Sequence, residues 1–225
     1  ALIKGKNADC IVCGLKQTSG NIWAPAFDKD YSDLASFKCD FIYWINTELL
    51  SSSVNKIYKR GLITELYPEN MSFGEDLVFV LNYLKHCNRI SFTQEPLYQH
   101  EVYNSVSLTH SFSPARFSNL EDIQKAILDF ADDKNKINPR IYDKYVKDAL
   151  HLTRMWYKNK NVPYIRKKEI IGEWLKQSYI RKLKISDYQL HWKDRMLLHS
   201  LHMSCFIGIN WIVNGKEYIN SLSKE

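Results

Sequence analysis

The pattern of this chain changes near residue 113, and that change limits the folds open to it more than any other feature. Before it, short β-branched and aromatic runs alternate with runs of helical period. "DCIVCGL" (9–15) and "RISFTQEPLYQHEV" (89–102) read as strands, with Pro or Gly close by. "FIYWINTELL" (41–50) and "EDLVFVLNYLKHC" (75–87) read as helices, the second with Leu77, Val80, Leu81 and Leu84 in one apolar stripe. Alternation of this kind predicts an α/β layer with a mainly parallel sheet and flanking helices. After 113 only helical patterns remain. Ser113-Pro114 is a helix start signal, and Ser118-Asn-Leu-Glu121 has the form of a capping box. Further helices are predicted over about 139–158, after Pro163, and up to Asn214-Gly215. The expected organisation is an α/β region over residues 1–112 followed by an all-α bundle or lid over 113–225.

The composition fits a folded chain. At 225 residues and 45% hydrophobic content a real core is available, and six Trp, fourteen Tyr and ten Phe exclude a disordered polypeptide. Five cysteines at irregular spacing do not form a disulfide framework, which points to a reducing compartment. Cys10 and Cys13 match C-x-x-C, but inside an apolar run they read as buried small hydrophobes. The N-terminal residues do not have the form of a signal peptide. There is no initiating Met and a strand follows almost at once, so the sequence is expected to start mid-domain.

The most apolar stretch, "MLLHSLHMSCFIGINWIV" (196–213), is interrupted by His199, Ser200, His202, Ser204 and Asn210, so it reads as a core helix rather than a membrane span. His199 and His202 have no carboxylate partner nearby and read as surface or core histidines. Lys158 to Lys184 holds nine Lys or Arg against Glu169 and Glu173, and so carries essentially all of the net charge of +6. Interleaved Ile and Trp at helical spacing suggest a helix on an anionic membrane surface over 163–184. The other reading is an ordinary amphipathic helix with its apolar face in the core and its lysines solvated. No nucleic-acid-binding motif accompanies the charge, so nucleic acid is not an expected partner.

"SFGEDLVFVLNYLKH" (72–86) sets Glu75 and Asp76 side by side after Gly74. Acids in a first helical turn gain roughly 0.3–1 kcal/mol each from the helix dipole and need no further purpose. Their neighbours suggest one. "SSSVNKIYKRGLI" carries Asn55 and Lys56, and "EPLYQHEVYNSVSLTH" carries Tyr98, His100, Asn104, Ser105 and Ser107 beyond a strand. Loops at strand ends of an open α/β sheet are where ligands bind.

In that order, "NKIYKRGLI", "PENMSFGEDLVFVLNYLKH" and "RISFTQEPLYQHEVYNSVSLTH" resemble the second half of a family-2 glycosyltransferase catalytic domain, over roughly Lys6 to His110. The resemblance implies part of a GT-A fold and inverting transfer from a nucleotide-sugar to a hydroxyl of a glycan or lipid-linked acceptor. Such chemistry builds surface polysaccharide at the cytoplasmic face of a membrane. It implies that Asp76 is the general base. Glu75 either raises the proton affinity of Asp76 or hydrogen-bonds the acceptor. Asn55, Lys56, Tyr98 and His100 fall on the acceptor side. A divalent metal, Mg or Mn, is implied for the full-length enzyme. The family's D-x-D metal motif and nucleotide-binding first half have no counterpart here. Asp28-Lys29-Asp30 matches only by letters and reads as a polar loop, so no metal site is expected in this chain and the fragment is expected to be inactive alone. The competing reading is a non-catalytic α/β-helical module that docks on an anionic membrane or a protein partner. A phosphoryl-transfer or hydrolytic metalloenzyme is remote, because neither a phosphate loop nor an H-E-x-x-H cluster is visible.

Overall fold

A computed structural model describes residues 7–101 and 113–215, and the structural statements below concern those residues. The chain forms two compact units. The first comprises Ala1–His110 with Ile123–Ile141, the second Ser111–Asp122 with Tyr142–Glu225.

The first unit is built on β1 (Cys10–Val12), whose three residues are all buried. β1 runs parallel to β6 (Ile90–Phe92), pairing Cys10 with Ile90, and antiparallel to β5 (Lys56–Tyr58), pairing Val12 with Lys56. β4 (Lys29–Tyr31) adds antiparallel to β6, giving the order β4-β6-β1-β5. A second sheet has the order β3-β2-β7, from β2 (Leu15–Gln17), β3 (Ile22–Trp23) and β7 (Tyr98–His100). Its β2–β7 pair is parallel and its β2–β3 pair antiparallel.

The α/β class is as expected, but the sheets are mixed rather than mainly parallel. The turn between β2 and β3 holds Gly20 at φ 92° and is too short to do anything but reverse the chain. Asp28-Lys29-Asp30, expected in a polar loop, enters the edge strand β4, where Asp30 pairs with Ser91.

Three helices of this unit lie between β4 and β6 in the sequence: α1 (Leu34–Cys39), α2 (Phe41–Asn46) and α3 (Glu75–Leu84). Asp33 caps α1, its side chain accepting from the Ser36 amide at 2.7 Å. Trp44 of α2 is fully buried and stacks on Phe92 with ring centroids 3.7 Å apart. Its indole N–H donates to the Tyr31 hydroxyl at 2.6 Å, which donates to Asp40 at 2.7 Å, so the polar tip of a buried aromatic is satisfied. α4 (Ala115–Phe130) has residues in both units, and its Phe130 packs on Phe37 and Phe41 in the first. α5 (Asp133–Lys136) follows.

The second unit is helical: α6 (Asp143–Lys158), α7 (Tyr164–Gln177), α8 (Trp192–His202) and α9 (Phe206–Asn214). The Ser113 signal holds, since its hydroxyl accepts from the Ala115 amide at 3.3 Å. The capping box does not. Ser118 lies inside α4 and donates to the Ala115 carbonyl, while Glu121 accepts from the Tyr145 hydroxyl (2.5 Å), the Trp174 indole (2.7 Å) and the Tyr179 amide (3.2 Å). The stretch 196–213 is two helices rather than one, broken at Met203-Ser204-Cys205 with Ser204 at φ 53°. Among the described residues no helix is long and apolar enough to cross a membrane.

Candidate active site

α3 begins at Gly74, whose φ of 77° suits glycine and whose missing side chain is filled by Ile123: an added Cβ would lie 2.1 Å from its Cδ1. This tight seat fixes where Glu75 and Asp76 emerge. Leu77, Val80, Leu81 and Leu84 are buried, and Phe79 and Tyr83 pack on Tyr58 of β5 with ring centroids 5.5 and 4.8 Å apart, while both carboxylates stay half-exposed in the first turn.

Asp76 is oriented by one contact. The Ser53 hydroxyl donates to its Oδ1 at 2.8 Å, and among the described residues no hydrogen bond reaches Oδ2 or the Glu75 carboxylate. Ser53 belongs to the loop that enters β5, and that loop is pinned to the carboxyl end of β1. The Cys13 amide and thiol donate to the Asn55 carbonyl at 2.9 and 3.2 Å, and the Asn55 side-chain amide donates to the Cys13 and Leu49 carbonyls at 3.0 and 3.2 Å. The Tyr58 hydroxyl donates to the Ser53 carbonyl at 2.9 Å. Asp76 is therefore tied to the carboxyl end of a strand with a parallel neighbour, the region where open α/β sheets take ligands.

Asn55 and Lys56 do not face an acceptor. Asn55 is fully buried and Lys56 is 7% exposed. The Lys56 ammonium gives its three protons to the Leu49 carbonyl (2.7 Å), the Ser52 carbonyl and the Asn55 side-chain oxygen (2.8 Å). A buried polar group is tolerated only when bonded, and these two are bonded to the loop itself. Burial nevertheless pulls the Lys56 ammonium down to about 8, against the pull of Cys10 and Asp76 towards the charged form. Both residues are thus corrected from acceptor contacts to supports of the loop. Ser53 and Tyr58 were not singled out from the sequence; a serine in "SSSV" carries no signal of its own.

Tyr98 is half-buried and His100 exposed, both on β7. No hydrogen bond or ion pair among the described residues links them to Glu75 or Asp76. Asn104, Ser105 and Ser107 lie outside the described residues. Cys10 and Cys13 are buried free thiols that burial pushes up, as inert core thiols require.

The described residues offer a divalent metal no ligand cluster. Among the described residues no three His, Cys, Asp or Glu side chains converge, and Asp28 accepts from the Gln94 amide at 2.7 Å. Cavities of about 500 and 340 Å³ open in the second unit, and neither is lined by Asp76. In the basic segment, α7 buries Ile171, Trp174 and Leu175, so the apolar face expected on a membrane is largely core.

No protein-family model matches the chain, and no match was found among curated proteins. Among solved structures the chain is similar to S. aureus TarS 1–349 in complex with UDP-GlcNAc, at 17% identity and a TM-score of 0.61 over 96% of this chain. It is also similar to a longer S. aureus TarS structure, at 18% identity and a TM-score of 0.58 over 94% of this chain. The chain spans 61% and 36% of those two proteins.

Proposed function

We propose that this chain is the acceptor-side and C-terminal part of an inverting GT-A glycosyltransferase that uses a nucleotide-sugar in surface polysaccharide synthesis. Asp76 is its general base and Glu75 flanks the acceptor. The observation that carries this reading is the half-exposed Asp76 carboxylate, held through one oxygen by Ser53 with the other open. In the reaction, the acceptor hydroxyl attacks the anomeric carbon and its proton passes to Oδ2. The bond to the diphosphate breaks with its electron pair leaving on that group, and configuration inverts. The uncomplexed second oxygen is what such a step needs. The UDP-GlcNAc in the TarS complex makes a nucleotide-sugar the first donor to try.

A divalent metal on the donor diphosphate belongs to this reading for the longer enzyme. The described residues offer it no ligand cluster, and no step above passes through it. The chain by itself is proposed to lack a complete donor site, in keeping with the share of its neighbours that it spans.

The test uses the longer protein. Asp76→Asn is expected to cut turnover by about 10²–10⁴-fold, the usual share of a positioned base, with UDP-GlcNAc affinity by calorimetry and melting temperature unchanged. Normal turnover in that variant removes the base. A longer protein that binds no nucleotide-sugar favours the non-catalytic module.

A further inference from the structure

Five large apolar side chains face solvent on two successive helices of the second unit and the corner that joins them. Trp192 (58% exposed) and Met196 stand one turn apart on α8, and Ile207 (65%) and Trp211 one turn apart on α9. Met203, 70% exposed, sits at the corner between them. Both helices also have a buried face, with Leu197, Leu198 and Leu201 on α8 and Ile209 on α9, so each is apolar on two sides. Single exposed apolar residues need no explanation, but a succession of five does. On α8 the spacing of Trp192, Arg195, Met196 and His199 makes one outward stripe. With Leu190 and Ser200 they line the open depression of about 500 Å³.

Positive charge borders this surface. The Lys193 ammonium lies 5.4 Å from the Trp192 ring, and that of Lys168 lies 5.7 Å from the ring of Phe206, the first residue of α9. Arg181 donates to the Ser204 hydroxyl at the corner, at 2.8 Å. The carboxylates nearby are already matched: Asp194 with Arg154, Glu169 with Arg166 and Glu173 with Lys176. Among the described residues Lys168, Arg181, Lys193 and Arg195 have no carboxylate partner.

We propose that α8 and α9 form a docking surface for an anionic lipid bilayer. Trp192, Met196, Met203, Ile207 and Trp211 enter the headgroup boundary while Lys168, Arg181, Lys193 and Arg195 meet lipid phosphates. Tryptophan suits that boundary because its ring is apolar and its N–H is polar. The charge complementarity selects the occupant: a nucleic acid would leave the five apolar groups without a partner, and a neutral protein face would leave the cations without one. With no described helix able to span, binding is in the plane of the surface. This moves the apolar insertion away from 163–184, whose apolar face is largely core and which contributes Lys168 and Arg181 alone, and it stands independently of the glycosyl-transfer reading.

The test is flotation of the chain with vesicles of phosphatidylcholine alone and with added phosphatidylglycerol, read with tryptophan emission. Binding is expected only with phosphatidylglycerol, with a blue-shifted emission, and weaker at high salt. Trp192→Glu and Ile207→Glu, both at exposed positions, should each weaken it by at least about tenfold. Arg195→Gln should weaken it about fivefold, the share of one basic residue near such a surface. Ile165→Gln, at a 60% exposed position on α7 and without a change of charge beside Lys168, should leave it unchanged. Circular dichroism confirms that each variant is folded. The proposal is overturned by absence of phosphatidylglycerol-dependent binding, by full binding of folded Trp192→Glu and Ile207→Glu, or by equal loss in Ile165→Gln. Self-association in sedimentation velocity that Trp192→Glu abolishes, with no vesicle binding, overturns it in favour of a second copy on this face.

Discussion

Replacing Glu121 by alanine should cost the second unit about 2–3 kcal/mol. Its carboxylate accepts from the Tyr145 hydroxyl, the Trp174 indole and the Tyr179 amide. Tyr145 keeps a second partner in the Ser178 hydroxyl at 2.6 Å, so two donors are stranded. A stranded buried donor costs about 1–3 kcal/mol. Trp174 is 4% exposed and bears about 2 kcal/mol, the middle of that range, while half-buried Tyr179 finds water and bears at most about 1 kcal/mol. In a chain of this size the loss lowers the melting temperature by about 4–12 °C. Glu121→Gln separates charge from hydrogen bonding. Burial raises the Glu121 carboxyl above 4.5 and outweighs its donors. Its stabilisation is then complete below about pH 4.5 and declines as pH rises through the folded value. The glutamine variant, neutral at every pH, should therefore gain on the native chain from pH 4.5 towards neutrality, measured by urea unfolding across pH. A loss of less than about 1 kcal/mol in the alanine variant, or a glutamine variant that loses ground over that interval, refutes the reasoning.

Other perturbations probe the first unit. Ser53→Ala frees the Asp76 oxygen it holds. Under the proposed function it should lower kcat of the longer protein with the donor KM unchanged, at a folding cost of about 1 kcal/mol; a changed donor KM alone would contradict an orienting role. Between about pH 8 and 10.5 the unfolded chain keeps a proton on Lys56 that the folded chain has released, so stability rises with pH across that window. Lys56→Met should lack this rise in urea titrations, and parallel curves would show that the ammonium is not strained by burial. Gly74→Ala must place a side chain at φ 77° against Ile123, at a cost of at least about 1–2 kcal/mol; calorimetry showing none would mean that α3 starts differently.

What the sequence disclosed followed how local each cause is. α3 was legible because its apolar stripe, its glycine and its acids all lie within one stretch, and the Ser113-Pro114 start because capping is settled within three residues. The break at Ser204 was not, since apolar residues flank it on both sides and hydropathy passes through unchanged. Glu121 matched a capping box by spacing, yet its partners lie 24, 53 and 58 residues further on, beyond any local pattern. Strand pairing was misjudged for the same reason: runs of three residues carry too little period to reveal direction. In the candidate site, Asp76 was singled out from its sequence neighbours, whereas the burial of Asn55 and Lys56 and the oxygens they reach emerged only from the fold.

The loop beneath Asp76 is gripped through its backbone: Asn55 and Lys56 reach the carbonyls of Cys13, Leu49 and Ser52 rather than distinctive side chains. Of its positions Val54, 45% exposed, can therefore drift in identity without moving the carboxylate, whereas Leu50 is core, and gaining or losing a single residue between 49 and 55 would put every grip out of step. Such a loop tolerates a change of letter at its exposed point far better than a change of length.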